Sequence, residues 1–326
     1  MAAIVTTDLS KSYKQLGKAT VHSLSGLNME VGENEIFGFL GRNGAGKTTA
    51  IKLLTGLIRA SRGGAEIFGK DSRLPDARAH IGYLPEHPYF YEYLTPRESL
   101  EFYAELRGVE KSRRKSEWLR ISEMLDLDEF ADRRIRGFSK GMRQRVGLAV
   151  SLIGDPPLLI LDEPMSGLDP HGRRMVRELM LRLRSEGKTV FFSSHILSDV
   201  EEISDRVAIL VSGKLAASGR IEDLSGDGEK AIELCCTGLK GEALNALAAR
   251  GMKGTADEEG RIRFLVPDVD QSAGLITEIQ QQGGILLSMV PVLESLEDFF
   301  TKLEQRDPSS GRKETKSAAK ETESHE

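Results

Sequence analysis

Cysteine is nearly missing from this 326-residue chain: there are two, Cys235 and Cys236, and they are neighbours. Adjacent cysteines supply neither a disulfide framework nor the spaced pairs of a structural zinc site, and both read as strand residues. Long apolar runs are missing too. None approaches the roughly 18 residues needed to cross a bilayer, and Met1 to Thr7, followed by Asp8, has neither the basic start nor the apolar stretch of a secretory leader. The expected location is the cytosol. Nor is there an excess of positive charge: 45 Lys and Arg stand against 50 Asp and Glu, a net charge of −5. That balance argues against a dominant nucleic-acid surface, and no nucleic-acid partner is expected. A hydrophobic content of 39% and a mean hydropathy of −0.30 are ordinary for a soluble globular chain, and the length allows two domains.

Glycine, by contrast, is concentrated where it matters. Residues 41 to 48 read Gly41-Arg-Asn-Gly-Ala-Gly-Lys-Thr48, a full GxxxxGK[ST] match between an apolar strand pattern (Glu35 to Leu40) and a helical one (Thr49 to Leu54). Gly41, Gly44 and Gly46 let backbone N–H groups turn toward one anion, and the following helix start adds its positive dipole end. Lys47 can reach the β/γ-phosphates and the Thr48 hydroxyl can ligate Mg²⁺. A glycine-rich turn before a helix is the plain alternative; strand before and helix after favour nucleotide binding. The expected contact set is Gly41, Asn43, Gly44, Ala45, Gly46, Lys47, Thr48 and Thr49.

Up to about residue 225, short apolar strands alternate with helical stretches, which predicts an α/β sheet covered on both faces. Between about Pro88 and Arg136 the strands stop, and Arg97 to Arg107 and Trp118 to Leu125 carry apolar residues at helical spacing, an inserted helical subdomain. Strands resume at Pro157 to Leu161 and Thr189 to Ser193, with a helix from His171 to Ser185 between them. Past the composition shift near Ser225 to Glu229 the order becomes strand (231–236), helix (241–250), strand (253–257), strand (261–266), helix (268–282), strand (285–290). That is the βαββαβ order of a small ferredoxin-like α+β domain spanning about 228–305. A last helix is expected at 293–305. Residues 307–326 hold no aromatic and no Leu, Ile, Val or Met, so a disordered tail is expected.

Leu158-Leu-Ile-Leu-Asp-Glu163 is an apolar run ending in two carboxylates. Asp162 at a strand end can hold Mg²⁺ opposite Thr48, and Glu163 can serve as general base or orient an attacking water. The plain alternative is a buried strand closing in a solvated acidic turn. Further on, Gly137-Phe-Ser-Lys-Gly-Met-Arg-Gln-Arg145 looks like a helix start, with Ser139 as N-cap and Gly141 allowing close approach.

The phosphate cradle, Phe138-Ser-Lys-Gly-Met142, Leu161-Asp-Glu-Pro164, Ser166-Gly-Leu-Asp169 and Ser193-Ser-His195 together resemble an ATP-binding cassette ATPase, in that order and over about residues 1–225. The resemblance implies that Tyr13 stacks on adenine, that Asp162 and Glu163 take the metal and catalytic-base roles, and that His195 contacts the γ-phosphate. It also implies a dimer, identical or mixed, in which Ser139 and Gly141 of one cassette close over the ATP held by the other. Read plainly, Tyr13 is an edge-strand aromatic, His195 a loop histidine and Asp169 a helix cap that can also serve across the dimer.

Two departures stand out. Glu86 occupies the family's usual Gln position, bringing a further carboxylate toward Mg²⁺ and the phosphates, and Phe138 and Lys140 replace the commoner Leu and Gly of the signature. Lys140 can neutralise phosphate charge or simply be solvated. Close by, Tyr89, Phe90, Tyr91 and Tyr93 form either a docking surface or packing within the helical subdomain. The single cassette, the signature and the appended C-terminal domain resemble the branch that serves drug and polysaccharide exporters. The resemblance then implies an ATPase subunit peripheral on the inner face of the cell membrane, energising a separate transmembrane permease. A translational or mechanical ATPase is disfavoured because neither a second cassette nor a long coiled coil is present, and a GTPase because there is no NKxD motif.

Overall fold

The computed structural model describes residues 2–14, 17, 19–224, 231–239, 243, 244, 247, 254–257, 260–266, 269–292 and 301. Two compact units result, one ending at Ile221 and one comprising Glu222–Lys302.

The first unit is built on a six-stranded sheet, in the spatial order Lys214–Arg220, Arg206–Val211, Ile36–Leu40, Thr189–Ser194, Leu158–Leu161 and Ile81–Leu84. All neighbours are parallel except the first pair. Its three central strands are buried at every position, as expected of parallel strands covered on both faces, and so they read as continuous runs instead of alternating ones. The loops at their C-terminal ends hold the cradle, the Asp162-Glu163 pair and His195, where open parallel sheets place ligands.

The single covered sheet expected for this region is only half of what forms. A second, antiparallel sheet stands over it, in the order Val21–Gly32, Ala2–Tyr13, Arg62–Ile67 and Lys70–Asp71. Its register shifts between Thr6 and Leu9 and again between Leu9 and Lys11, and each bulge breaks the period-two alternation that would have marked a half-buried strand. Ile4, Leu9, Leu24 and Leu27 of this sheet share one core with Phe37, Phe39 and Phe191 of the parallel sheet and with Ala50, Ile51 and Leu54 of the helix Lys47–Leu54. Phe37 stacks on Phe191 at 5.8 Å between ring centroids. Burial of each of these leucine, isoleucine and phenylalanine side chains stabilises the fold by roughly 1.5–3 kcal/mol, so the helix that follows the cradle is held from both sides.

Between Ile81–Leu84 and its parallel neighbour Leu158–Leu161 the chain leaves the sheet and forms the helices Pro96–Leu106, Lys111–Leu125 and Lys140–Ser151. The first begins in a full capping box: Thr95 Oγ1 accepts from the Glu98 N–H at 3.2 Å, and Glu98 Oε2 accepts from the Thr95 N–H at 2.8 Å.

In the second unit, Gly254–Ala256, Ile262–Val266, Ala231–Thr237 and Ile285–Val292 form an antiparallel sheet in that order, accompanied by the helix Val269–Gln281. Ile232, Leu234, Cys236, Phe264, Leu275 and Ile279 pack as a separate core. Both cysteines lie on the strand Ala231–Thr237 and are buried; burial pushes the Cys236 thiol up. Most of the helix expected at 241–250, all but residue 301 of the last helix expected at 293–305, and the tail 307–326 lie outside the described residues.

Candidate active site

The cradle turns between the strand Ile36–Leu40 and the helix Lys47–Leu54, with Gly46 as N-cap at φ 108°. A side chain there would collide with the Ser23 carbonyl, so this position admits only glycine. Gly44 also has positive φ, 82°, and nothing within 4 Å of where a Cβ would lie. A cavity of about 310 Å³ opens here, lined by Asn43, Gly44, Gly46, Lys47, Thr48 and Thr49 from the loop and by Ser23, Arg42, Glu86 and Glu163 around it. Its size is that of a small-ligand pocket.

Two of the expected contact residues do other work in this geometry. The Ala45 N–H is spent on the Arg42 carbonyl at 3.1 Å and the Gly41 N–H on the Ser194 carbonyl at 3.3 Å. Neither residue lines the cavity; both shape the turn. Tyr13 ends the first strand, 40% exposed, with the Lys11 ammonium 5.1 Å from its ring centre, and is likewise absent from the lining.

Charge converges on the cradle. Lys47 is buried, with its ammonium 2.5 Å from the Gly41 carbonyl and 3.1 Å from Glu163 Oε1. Glu163 is pinned at three points: Oε1 faces Lys47, Oε2 pairs with His195 Nδ1 at 2.8 Å, and its N–H donates to Ser193 Oγ at 2.8 Å. Its backbone sits at φ 50°, a conformation that costs a non-glycine residue of order 1–3 kcal/mol and concentrates at functional sites. Among the described residues the second ring nitrogen of His195 has no hydrogen-bond partner.

Asp162 lies fully buried at the end of Leu158–Leu161. Ser193 Oγ donates to its Oδ1 at 2.7 Å, while Oδ2 is buried without a hydrogen-bond partner. Burial pushes its carboxyl above the usual range; the Ser193 and Thr48 hydroxyls oppose the rise and the charges of Glu86 and Glu163 add to it. The orphaned buried oxygen of Asp162, with the Thr48 hydroxyl beside its carboxyl, offers hard oxygen donors of the kind a magnesium ion takes. Among the described residues no group of three or more His, Cys, Asp or Glu forms a metal cage.

Ser139, Gly141 and Asp169 come together elsewhere, around a second cavity of similar size that shares no lining residue with the first. Ser139 caps the helix Lys140–Ser151, accepting from the Met142 N–H at 3.3 Å, and Asp169 caps Pro170–Ser185, accepting from the Gly172 N–H at 2.7 Å. The Lys140 side chain lies across Gly167, where a Cβ would collide with its ammonium. Of the aromatic cluster only Phe90 is buried; Tyr89, Tyr91 and Tyr93 are exposed, and Tyr91 meets Phe102 edge-on at 5.5 Å.

Three residues without a role of their own in the sequence motifs are prominent in the geometry. Ser193 Oγ links the Asp162 carboxylate, to which it donates, to the Glu163 backbone N–H, from which it accepts; Gln144 Nε2 donates to the Pro164 carbonyl at 2.7 Å, and Ser23 Oγ meets Thr49 Oγ1 at 2.8 Å. Gln144 ties the helix that Ser139 caps to the loop carrying Glu163. Ser193 was visible at the end of an apolar strand level with Asp162, but its contact depends on parallel pairing across 31 residues of separation.

A glycine cradle with a buried lysine, followed by an Asp-Glu pair at the end of the parallel strand next but one in the sheet, defines a P-loop nucleotide hydrolase. The family model described as ABC transporter matches residues 24–166. An uncharacterized ABC transporter ATP-binding protein of Synechocystis is 40% identical over 303 residues, 92% of this chain and 84% of that protein. The bacitracin transport ATP-binding protein BcrA of Bacillus licheniformis is 37% identical over 92% of this chain and 96% of its own. Among solved structures, the ATP-binding subunit of an ABC transporter superposes with a TM-score of 0.62 at 31% identity, over 68% of this chain and 91% of that one. The dimeric cassette MJ0796, in a post-hydrolysis state with ADP and Pi, shares the fold at TM-score 0.62 and 24% identity, over 67% of this chain and 98% of its own. The chain belongs to the ABC transporter family, as one of its ATP-binding, ATP-hydrolysing cassettes.

Proposed function

We propose that this cassette hydrolyses Mg²⁺-ATP as one half of a homo- or heterodimer and thereby energises a separate transmembrane permease for export, working from the cytoplasmic face of the membrane. The observation that carries the reading is the separation of two part-sites on one chain. The cradle groups Lys47, Glu163 and His195, while Ser139, Gly141 and Asp169 line a different cavity. Two chains facing each other would complete both sites. In this reading Lys47 and the loop N–H groups bind the phosphates, Glu163 takes the proton of the attacking water, and His195 holds Glu163 through Nδ1 while its other nitrogen meets the γ-phosphate. Thr48, Asp162 and Glu86 would hold the magnesium ion, which neutralises phosphate charge when bound. Tyr13 would stack on the adenine.

No described helix is long and apolar enough to cross a membrane, so this reading requires a partner to carry the membrane path. The exposed Tyr89, Tyr91, Tyr93 and Phe102 give that partner an aromatic contact surface. Likeness to a bacitracin transport protein supports the drug-transport branch. The test is co-purification of the tagged chain with a membrane permease encoded beside it, followed by ATPase assays with candidate substrates. A purified pair whose hydrolysis responds to substrate supports the reading; a chain that never associates with a membrane protein overturns it.

The antiparallel sheet of the second unit, in chain order 2-3-1-4, supports a ferredoxin-like domain with a regulatory or dimer-stabilising role. Its core shares no residue with that of the first. Deleting residues 228–326 is therefore expected to leave a cassette that melts cooperatively and binds ATP within about twofold of the full chain, with dimer formation or coupling altered. Outright unfolding in thermal denaturation would show the boundary to be misplaced.

Glu86 gives a second prediction. It lines the cavity, and its charge adds to the pressure on Asp162. Glu86→Gln removes one repulsive charge facing the phosphates, so ATP binding without magnesium should strengthen by roughly two- to fivefold, with hydrolysis intact or faster. A magnesium titration of both proteins checks it, and a raised Mg²⁺ requirement with lowered turnover would instead make Glu86 an essential ligand.

A further inference from the structure

The helical subdomain encloses a cavity of about 260 Å³ that belongs to neither part-site. Its floor is apolar, made by Leu100, Ala104, Trp118, Ile121 and Ile153, and its mouth is charged, with Arg97, Lys111, Arg114 and Lys115 against Glu101 and Glu117. The charges do not cancel. Glu117 Oε2 is already engaged, accepting from Arg120 at 3.1 Å and from the Gly154 N–H at 3.1 Å. Arg97 pairs with Asp132 at 3.0 Å and lies 4.4 Å over the Trp118 ring, and Arg114 pairs with Glu105 at 2.8 Å. Among the described residues, Lys111 and Lys115 have no carboxylate within ion-pair distance.

Those cations stand where helix electrostatics disfavours them. Lys111, Arg113, Arg114 and Lys115 fall within the first five residues of the helix Lys111–Leu125, whose first turn holds no acid and whose N-cap, Glu110, makes no side-chain cap. A helix N-terminus is partially positive and selects acidic side chains, and like charges at i and i+4, as in Lys111 and Lys115, repel. An anion seated at this end relieves both. The cavity also faces away from the aromatic surface: Arg97, Leu100, Glu101 and Ala104 recur on one side of the helix Pro96–Leu106, while Phe102 and Leu106 project from the other.

We propose that this cavity binds a single-chain amphiphile with an anionic headgroup, its tail among Leu100, Ala104, Trp118 and Ile121 and its carboxylate or phosphate held by Lys111 and Lys115. At about 30 Å³ for a methylene-sized unit, the volume of one liquid water, the space takes a tail of roughly eight carbons. The site stands on its own residues and does not depend on the reading of the nucleotide site. Trp118, the single tryptophan of the chain, forms part of its floor and reports directly on occupancy.

The test titrates the purified full chain with octanoate and with octyl phosphate, below their micelle thresholds, following Trp118 emission. Saturable binding of both is expected, with octyl glucoside and octyltrimethylammonium weaker by about tenfold or more. Lys111→Glu combined with Lys115→Glu, both on exposed residues, should weaken octyl phosphate by a similar factor with the circular dichroism spectrum unchanged. Ala104→Leu, which fills the floor, should remove the response while leaving the cationic mouth in place. Equal binding of all four octyl compounds, an identical response to inorganic phosphate alone, or unchanged affinity in the charge-reversed variant would each overturn the proposal. So would an acidic amphipathic peptide that binds where the amphiphiles do not, which would assign the cavity to a protein partner.

Discussion

Glu163→Gln is expected to lower ATP turnover by about 10²- to 10⁴-fold while leaving ATP binding within a fewfold of the parent, as read by phosphate release and by equilibrium titration. Glutamine keeps the shape and can still meet Lys47 and His195, both within 3.1 Å of the present carboxylate. What it cannot do is take a proton. The surrounding geometry should survive, because the substitution leaves the Glu163 backbone donation to Ser193 in place. Hydrolysis at the parent rate in this variant would remove Glu163 from the base role and leave Asp162 as the nearest carboxylate, already bound to Ser193.

Lys47→Ala should fail at the preceding step. The Lys47 ammonium is buried between the Gly41 carbonyl and Glu163, and deleting it leaves the Glu163 carboxylate buried without its cation in a cavity that must accept phosphate charge. Loss of a desolvated charge partner costs about 2 kcal/mol or more, roughly a thirtyfold rise in the ATP dissociation constant. A titration with a fluorescent nucleotide reads this directly. The two variants separate the roles: Glu163→Gln binds without turning over, and Lys47→Ala binds about thirtyfold more weakly. Unchanged affinity for Lys47→Ala would contradict the cradle itself.

The phosphate loop, the Asp162-Glu163 strand end and the caps at Ser139 and Asp169 were legible because each is local: a glycine turn, an apolar run and a side-chain oxygen three residues before a helical N–H. The pairing of Glu163 with His195 was not, since it spans 32 residues and follows from two neighbouring parallel strands. Gln144 was hidden for a related reason; inside a helix it is an ordinary polar residue until tertiary packing places Pro164 against it. The antiparallel sheet escaped because bulges near Thr6 and Leu9 shift its side chains out of simple alternation. The motif marks Ala45 as a nucleotide contact; that its N–H also closes the turn onto Arg42 is visible only in the folded loop.

The most direct test of the account is whether ATP joins two copies of the chain. Light-scattering mass of purified Glu163→Gln, measured with and without saturating Mg²⁺-ATP, should show the dimer fraction rising strongly with nucleotide, because the cradle of one chain then meets Ser139 and Gly141 of the other. A mass that does not respond to ATP, in protein shown by titration to have bound it and measured both alone and with any cassette that co-purifies with it, would contradict the composite site on which the proposed mechanism rests.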